Sequence, residues 1–228
     1  MRRITVFTAV LIAALFAVVS PAGATAHAAT AVPVLSRIAP AGPPANPGDL
    51  LTSSLTPGTA LNFSTAPGGP FGLFCKQSVW GGQLMANPPA PGTAAIKLLN
   101  PFTVSSCYDN SPTVTGVLGV TVGNLPETLT VSDSSGFPIQ ILPSPAPLQI
   151  TVTLATTGPT VVCVFQAATG AVLGNAGPGP APWQFNNQPF KLLSGALPAC
   201  GTSPIAYLTA QYSPVIDTTA GSATIFVN

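Results

Sequence analysis

Apolar and polar side chains alternate with a period of two along much of this chain. The cleanest stretch is 148–154, where Leu148, Ile150, Val152 and Leu154 point one way and Gln149, Thr151 and Thr153 the other. That is the signature of a half-buried β-strand. Val114, Leu118, Val120 and Val122 share a second apolar face, interrupted by Gly116. Leu129 and Val131 mark a short third strand. Leu208, Ala210 and Tyr212, and then Ala223, Ile225 and Val227, mark two more towards the end. Residues 161–165 are apolar on both parities and read as a central strand covered on both faces. Asp133-Ser134-Ser135-Gly136 supplies a turn. No window combines a 3.6-residue period with a capping residue and a glycine stop, so no helix is expected.

Proline clusters at 88–92, 143–147 and 178–182 punctuate this pattern. Proline has no N–H to give a ladder, so each cluster separates strand-forming segments. Short strands with turn signals between them predict an all-β fold, an antiparallel β-sandwich or barrel-like domain with Pro-rich loops.

The first residues follow another logic. Arg2 and Arg3 precede an apolar run over 4–19 broken only by Thr5 and Thr8, and Ala26-His27-Ala28 offers a small-x-small cleavage site. The run is short for a membrane-spanning helix, which needs about 20 residues. Residues 1–28 therefore read as a signal peptide, with cleavage after Ala28 and Ala24 as the second choice. Residues 29–49 are rich in Pro, Ala and Gly and read as an extended tether. Residues 50–228 read as a single β domain.

Charge and cysteine content then narrow the chemistry. Only 5% of the 228 residues are charged, and 46% are hydrophobic. Removing the leader takes away Arg2, Arg3 and the one histidine, His27, and leaves four cations against five carboxylates. No basic patch exists to neutralise phosphates, so nucleic acid is not an expected partner. Attachment to anionic lipid is equally unsupported. Loss of the histidine removes Ser-His-Asp and Cys-His catalysis and most transition-metal sites. It also predicts no imidazole-type transition between about pH 5 and 8. No cofactor motif is present, and no cofactor or metal is expected.

The four cysteines, Cys75, Cys107, Cys163 and Cys200, form an even set in an exported chain and read as two disulfides. The expected pairs are Cys75–Cys107 and Cys163–Cys200, because each encloses one proline cluster. The crossed pairings, which would tie the two halves of the chain together, are the alternatives.

What remains for catalysis is thin. Lys76 with Ser78, and Lys191 with Ser194, are the nearest Ser–Lys candidates, and Asp109, Glu127 and Asp133 the nearest carboxylate set. Asp109 and Asp133 sit in sequences of turn composition. The aromatics are a better lead. Trp80 follows Cys75, and Trp183 and Phe185 precede Cys200 among Gln and Asn side chains. Exposed aromatics beside amides stack on sugar rings or apolar ligands, whereas buried ones anchor a core.

The run Phe102-Thr103-Val104-Ser105-Ser106-Cys107, followed by alternating strands and Gly123-Asn124-Leu125-Pro126-Glu127-Thr128-Leu129-Thr130-Val131, resembles a group of exported proteins of high-GC Gram-positive bacteria, the actinobacteria. The resemblance covers roughly residues 60–228. It implies a secreted β domain with two disulfides and implies no activity. The expectation is thus a secreted, non-enzymatic structural or interaction protein of the cell envelope or medium. The alternative is an extracellular binding module for a carbohydrate or small apolar ligand, with Trp80, Trp183 and Phe185 as its contacts. Cell-wall and other extracellular ligands are the partner classes left open.

Overall fold

A computed structural model describes residues 31–228 of the chain, so the expected leader at 1–28 lies outside the described residues. Among them the alternation produces fourteen strands and no helix. In chain order these are β1 Leu35–Arg37, β2 Leu50–Leu55, β3 Leu61–Ser64, β4 Gly72–Ala86, β5 Thr93–Asp109, β6 Val114–Gly123 and β7 Thr128–Ser132. There follow β8 Pro138–Leu142, β9 Gln149–Thr156, β10 Val161–Ala167, β11 Val172–Asn175, β12 Trp183–Ser194, β13 Ile205–Asp217 and β14 Ala223–Val227. No helix among the described residues is long and apolar enough to cross a membrane.

Eight strands close on themselves in the order β13, β2, β4, β5, β7, β8, β11, β12, with β12 returning to β13. Every pair in the circuit is antiparallel. Closure leaves this barrel no free edge.

Four of these strands, β4, β5, β12 and β13, are 12 to 17 residues long and run on beyond the ring. Their far ends build a second half in the order β6, β9, β10, β12, β13, β3, β4, β5. This circuit is open. Strands β5 and β6 pack side by side, joined by a turn at residues 110–113, but no ladder links them.

Each long strand changes its inward parity on passing between the halves. In β4 the buried set runs Leu73, Cys75, then Ser78, Trp80 and Leu84. In β12 it runs Trp183, Phe185, then Phe190, and in β13 it runs Ala206, Leu208, Ala210, Tyr212, then Val215 and Asp217. In β5, Ile96 and Leu98 continue through half-buried Phe102 and Val104 to half-buried Cys107. At each switch two consecutive residues leave the interior: Lys76 and Gln77, Ser105 and Ser106, Asn186 and Asn187, Ser213 and Pro214. Ser106 and Asn187 lie in the left-handed backbone region, at φ 54° and 49°. At the β12 and β13 switches the ladder register shifts, and such a shift re-aims every later side chain, as a β-bulge does. The outward pair on β4 is tied to that on β5, because Gln77 Oε1 accepts from Ser105 Oγ at 3.0 Å and Ser106 Oγ at 3.2 Å.

Both expected disulfides are present, Cys75–Cys107 and Cys163–Cys200, and both lie in the open half. Cys75 and Cys107 face each other across the β4–β5 ladder.

Three expectations are corrected. The tether expected over 29–49 is folded into the domain from Pro33 on. Strand β1 pairs with β14, Leu35 opposite Val227, and Val34 and Leu35 are fully buried. The Asn87 side chain binds the Leu35 amide and carbonyl and the Ala45 carbonyl, each at 2.8 Å. The segment thus covers one end of the closed ring with its backbone groups satisfied. Its strand is three residues long and its partner lies at the far end of the chain, so periodicity could not show it.

Strand β10 is central in the pairing order but covered on one face only: Cys163, Phe165 and Ala167 are buried while Val162 is 47% exposed. In β6 the expected face breaks at Leu118, which is 63% exposed, while Val117 packs on the core instead. Register shifts between Val114 and Gly116 and between Val117 and Gly119 cause the change. The strand at 148–154, the Leu129–Val131 face, the 133–136 turn and the last two strands stand as expected.

Candidate functional site

Where the two halves meet, the interior is incompletely filled. A cavity of ≈ 40 Å³ lies among side chains from β3 to β13, including Trp80, Phe102, Val120, Leu148, Phe185 and Tyr212. The parity switches explain its place, because facing strands re-aim their side chains at this level and leave a layer of lower packing. Apart from the Tyr212 hydroxyl the lining side chains are hydrocarbon or aromatic, with one indole from Trp80. That hydroxyl sits 2.9 Å from Ser78 Oγ, so the pair satisfies itself. Complete burial pushes the Tyr212 phenol up, against the weaker opposing pull of Ser78. An apolar void of this kind stays dry and accepts apolar matter.

The three aromatics expected to contact a ligand are all interior: Trp80, Trp183 and Phe185 are at most 5% exposed. The reading in which they form an exposed stacking surface is therefore corrected. Trp80 and Trp183 stack with ring centroids 5.6 Å apart, and Phe185 and Phe102 each meet the Tyr212 ring edge-on. Trp80 and Phe185 line the cavity, and Trp183 backs Trp80 from behind. They cluster because β4 and β12 both turn alternate positions into the closed ring. The stacked pair beside Cys75 and Cys107 is Phe74 and Tyr108.

The candidate catalytic groups are dispersed. Lys76 is exposed and Ser78 is buried, because the β4 switch falls between them. Lys191 and Ser194 are both exposed on β12. Asp109 Oδ1 accepts from the Ser111 amide at 2.7 Å, and Asp133 Oδ1 accepts from the Gly92 amide at 2.8 Å. Asp109 thus closes its own turn, whereas Asp133 ties the turn after β7 to the loop before β5. Glu127 differs. It is 1% exposed, and neither carboxylate oxygen has a hydrogen-bond partner. Burial pushes its carboxyl up to about 7; the Ser144 backbone nearby opposes that shift more weakly, without reaching hydrogen-bond geometry. This buried carboxyl is a pH-responsive group near neutrality that is not an imidazole. Histidine counting could not reveal it, since burial rather than residue type sets its range.

A buried ion network was also missed. Arg37 Nε donates to Asp217 Oδ2 at 2.6 Å, and its Nη2 donates to Asp49 Oδ2. Burial opposes the Arg37 charge, but the hydrogen bonds and Coulomb attraction of both carboxylates outweigh it and raise its pKa. Asp217 Oδ1 also accepts from the Thr219 and Ala220 amides, closing the turn before β14. The signal available in the sequence was that Arg37 is the one arginine outside the leader. Among the described residues no group of three or more His, Cys, Asp or Glu could hold a metal.

Comparison with known proteins returns no matching family model, no matching curated protein and no matching solved structure. The site must be read from its own geometry as the interior of a closed antiparallel barrel with an open annex.

Proposed function

We propose that this is an exported, non-enzymatic β protein that works in the envelope or the medium by binding, and that it belongs with the actinobacterial group it resembles. The observation that carries the reading is the pairing of all four cysteines into two disulfides, the state that an oxidising compartment maintains. The leader pattern over 1–28 points the same way. Candidate nucleophiles and carboxylates stand apart, and what the fold assembles is an apolar space. The protein taken from culture supernatant should start at Ala29 with both cysteine pairs oxidised. A cell-retained species that keeps Met1 and free thiols, seen by intact mass, would overturn the reading.

A second, sharper reading is favoured by the cavity: the bound matter is a small apolar molecule rather than a carbohydrate. Sugar recognition needs aromatic faces open to solvent. Trp80, Trp183 and Phe185 face inward, whereas the space they border suits hydrocarbon. Native mass spectrometry of the exported protein, followed by solvent extraction, should release a neutral apolar compound. Retention on a polysaccharide column with nothing extractable would reverse the preference.

A further inference from the structure

The interior cavity has a neighbour outside. A surface groove of ≈ 260 Å³ runs between β5 and β6, lined by Val104, Ser105, Ser106 and Cys107 on one side and Val117, Leu118, Gly119 and Val120 on the other. Val104 and Val120 line the groove and also line the cavity. The two spaces therefore meet at this pair of half-buried side chains.

They meet at the one place where neighbouring strands of the second half carry no ladder. Parting β5 from β6 breaks no sheet hydrogen bond, whereas parting β6 from β9 or β4 from β5 would break many. Strand β6 is also built to move. It is an edge strand with two register shifts, and a Cβ added at Gly116 or Gly119 would meet nothing within 4 Å. Low packing around an edge strand with a ladder on one side only is the physical basis of local opening.

We infer that the β5–β6 seam is a portal into the cavity, and that its occupant is an uncharged amphiphile. The narrow hydrocarbon end passes between Val104 and Val120, and the hydroxyl-bearing end stays in the groove. This rests on the apolar-ligand reading above. No charged side chain lines either space, so an ionic head would lose its hydration without a partner. The Ser105 and Ser106 hydroxyls at the groove suit a neutral polar head, and exposed Leu118 extends the apolar contact at the rim. A cavity of ≈ 40 Å³ holds a chain end and not a fused ring system, which sets the shape of the part that goes inside.

The probe is 1-decanol, titrated into the full exported protein and followed by methyl NMR, with decanoate and decyltrimethylammonium as charged counterparts. One decanol should bind, shifting the Val104, Val120 and Leu208 methyls, and each charged analogue should bind at least about tenfold more weakly. Ala210→Leu, which fills the cavity, should abolish binding while leaving the fold intact by melting temperature. Val120→Trp should slow association about tenfold with a smaller change in affinity, and Val120→Ala should speed it. Should Val120→Trp fail to fold, Val120→Ala decides alone. Association rates unchanged in the Val120 variants, with binding still lost in Ala210→Leu, would overturn the portal and leave the cavity reading standing. No decanol binding to the unaltered protein would overturn both.

Discussion

The two halves of this barrel are held together on different terms. In the closed half, β2, β7, β8 and β11 complete a ring with the near ends of the long strands, and each strand has a ladder partner on both sides. In the open half the circuit stops at β5 and β6. Both disulfides lie in the open half, and the buried Arg37 network lies at the covered end of the closed one. A ring without edges resists opening through its own hydrogen bonds. A sheet with two facing free edges has no such restraint, and cross-links constrain the chain there instead. The comparison assigns rigidity to the closed half and adaptability to the open half, which is where an apolar guest would arrive.

The largest effect should come from reduction. The bridges span sequence separations of 32 and 37 residues, and the chain-entropy model gives each about 4 kcal/mol. Against a total stability of roughly 5–15 kcal/mol, losing both should bring the open half to the edge of unfolding. Hydrogen exchange after reduction should show protection lost first in β3, β9 and β10 and kept longest in β7 and β8. Uniform loss across all strands would mean that the halves form one cooperative unit and would break the comparison.

Arg37→Ala probes the other half. It leaves Asp217, which is fully buried, and Asp49 without their cation, and stranding a buried charge costs about 3–5 kcal/mol. Denaturant unfolding should show that loss, and exchange should quicken in β1, β14 and the turn after Asp217 while β9 and β10 keep their protection. Faster exchange in β9 and β10 as well would show that the ion network supports both halves.

A smaller and pH-dependent effect tests Glu127, which opens the approach to β7. Burial holds its carboxyl up at about 7 in the folded protein, against 4.5 as the ordinary value. The folded protein therefore keeps a proton that the unfolded chain releases across that window. Stability is highest below about pH 4.5 from this group and falls as pH rises towards 7 and beyond. Glu127→Gln should remove that slope and stabilise the protein at pH 8 by roughly 2–3 kcal/mol, with little change at pH 4.5. Thermal melts of both proteins across pH 4.5–8 measure it. Parallel pH profiles would show that Glu127 is hydrated in solution.

Strand identity was readable wherever one face is buried over several residues. Ile150, Val152 and Leu154 show the reason: a period of two needs only local sterics and a core on one side, whichever partner supplies it. The cysteine pairing was readable too, because each pair brackets one excursion of the chain. The long strands were not. Alternation in β4 and β12 breaks at Lys76-Gln77 and Asn186-Asn187, and a break in parity looks like a strand end until the ladder is seen to run on across it. The site was half legible: Trp80, Trp183 and Phe185 were named from their composition as either exposed contacts or buried anchors, but no local pattern showed the cavity beside them.

By itself, then, the chain's alternation determined an all-β protein, and its cysteines determined two cross-links. Closure of one half and not the other, the burial of Glu127 and Asp217, and the void beside Tyr212 were decided only in three dimensions. Each depends on which distant strands become neighbours. Ladder partners such as Leu35 and Val227 lie nearly the whole domain apart in sequence, and no local pattern encodes a meeting at that range.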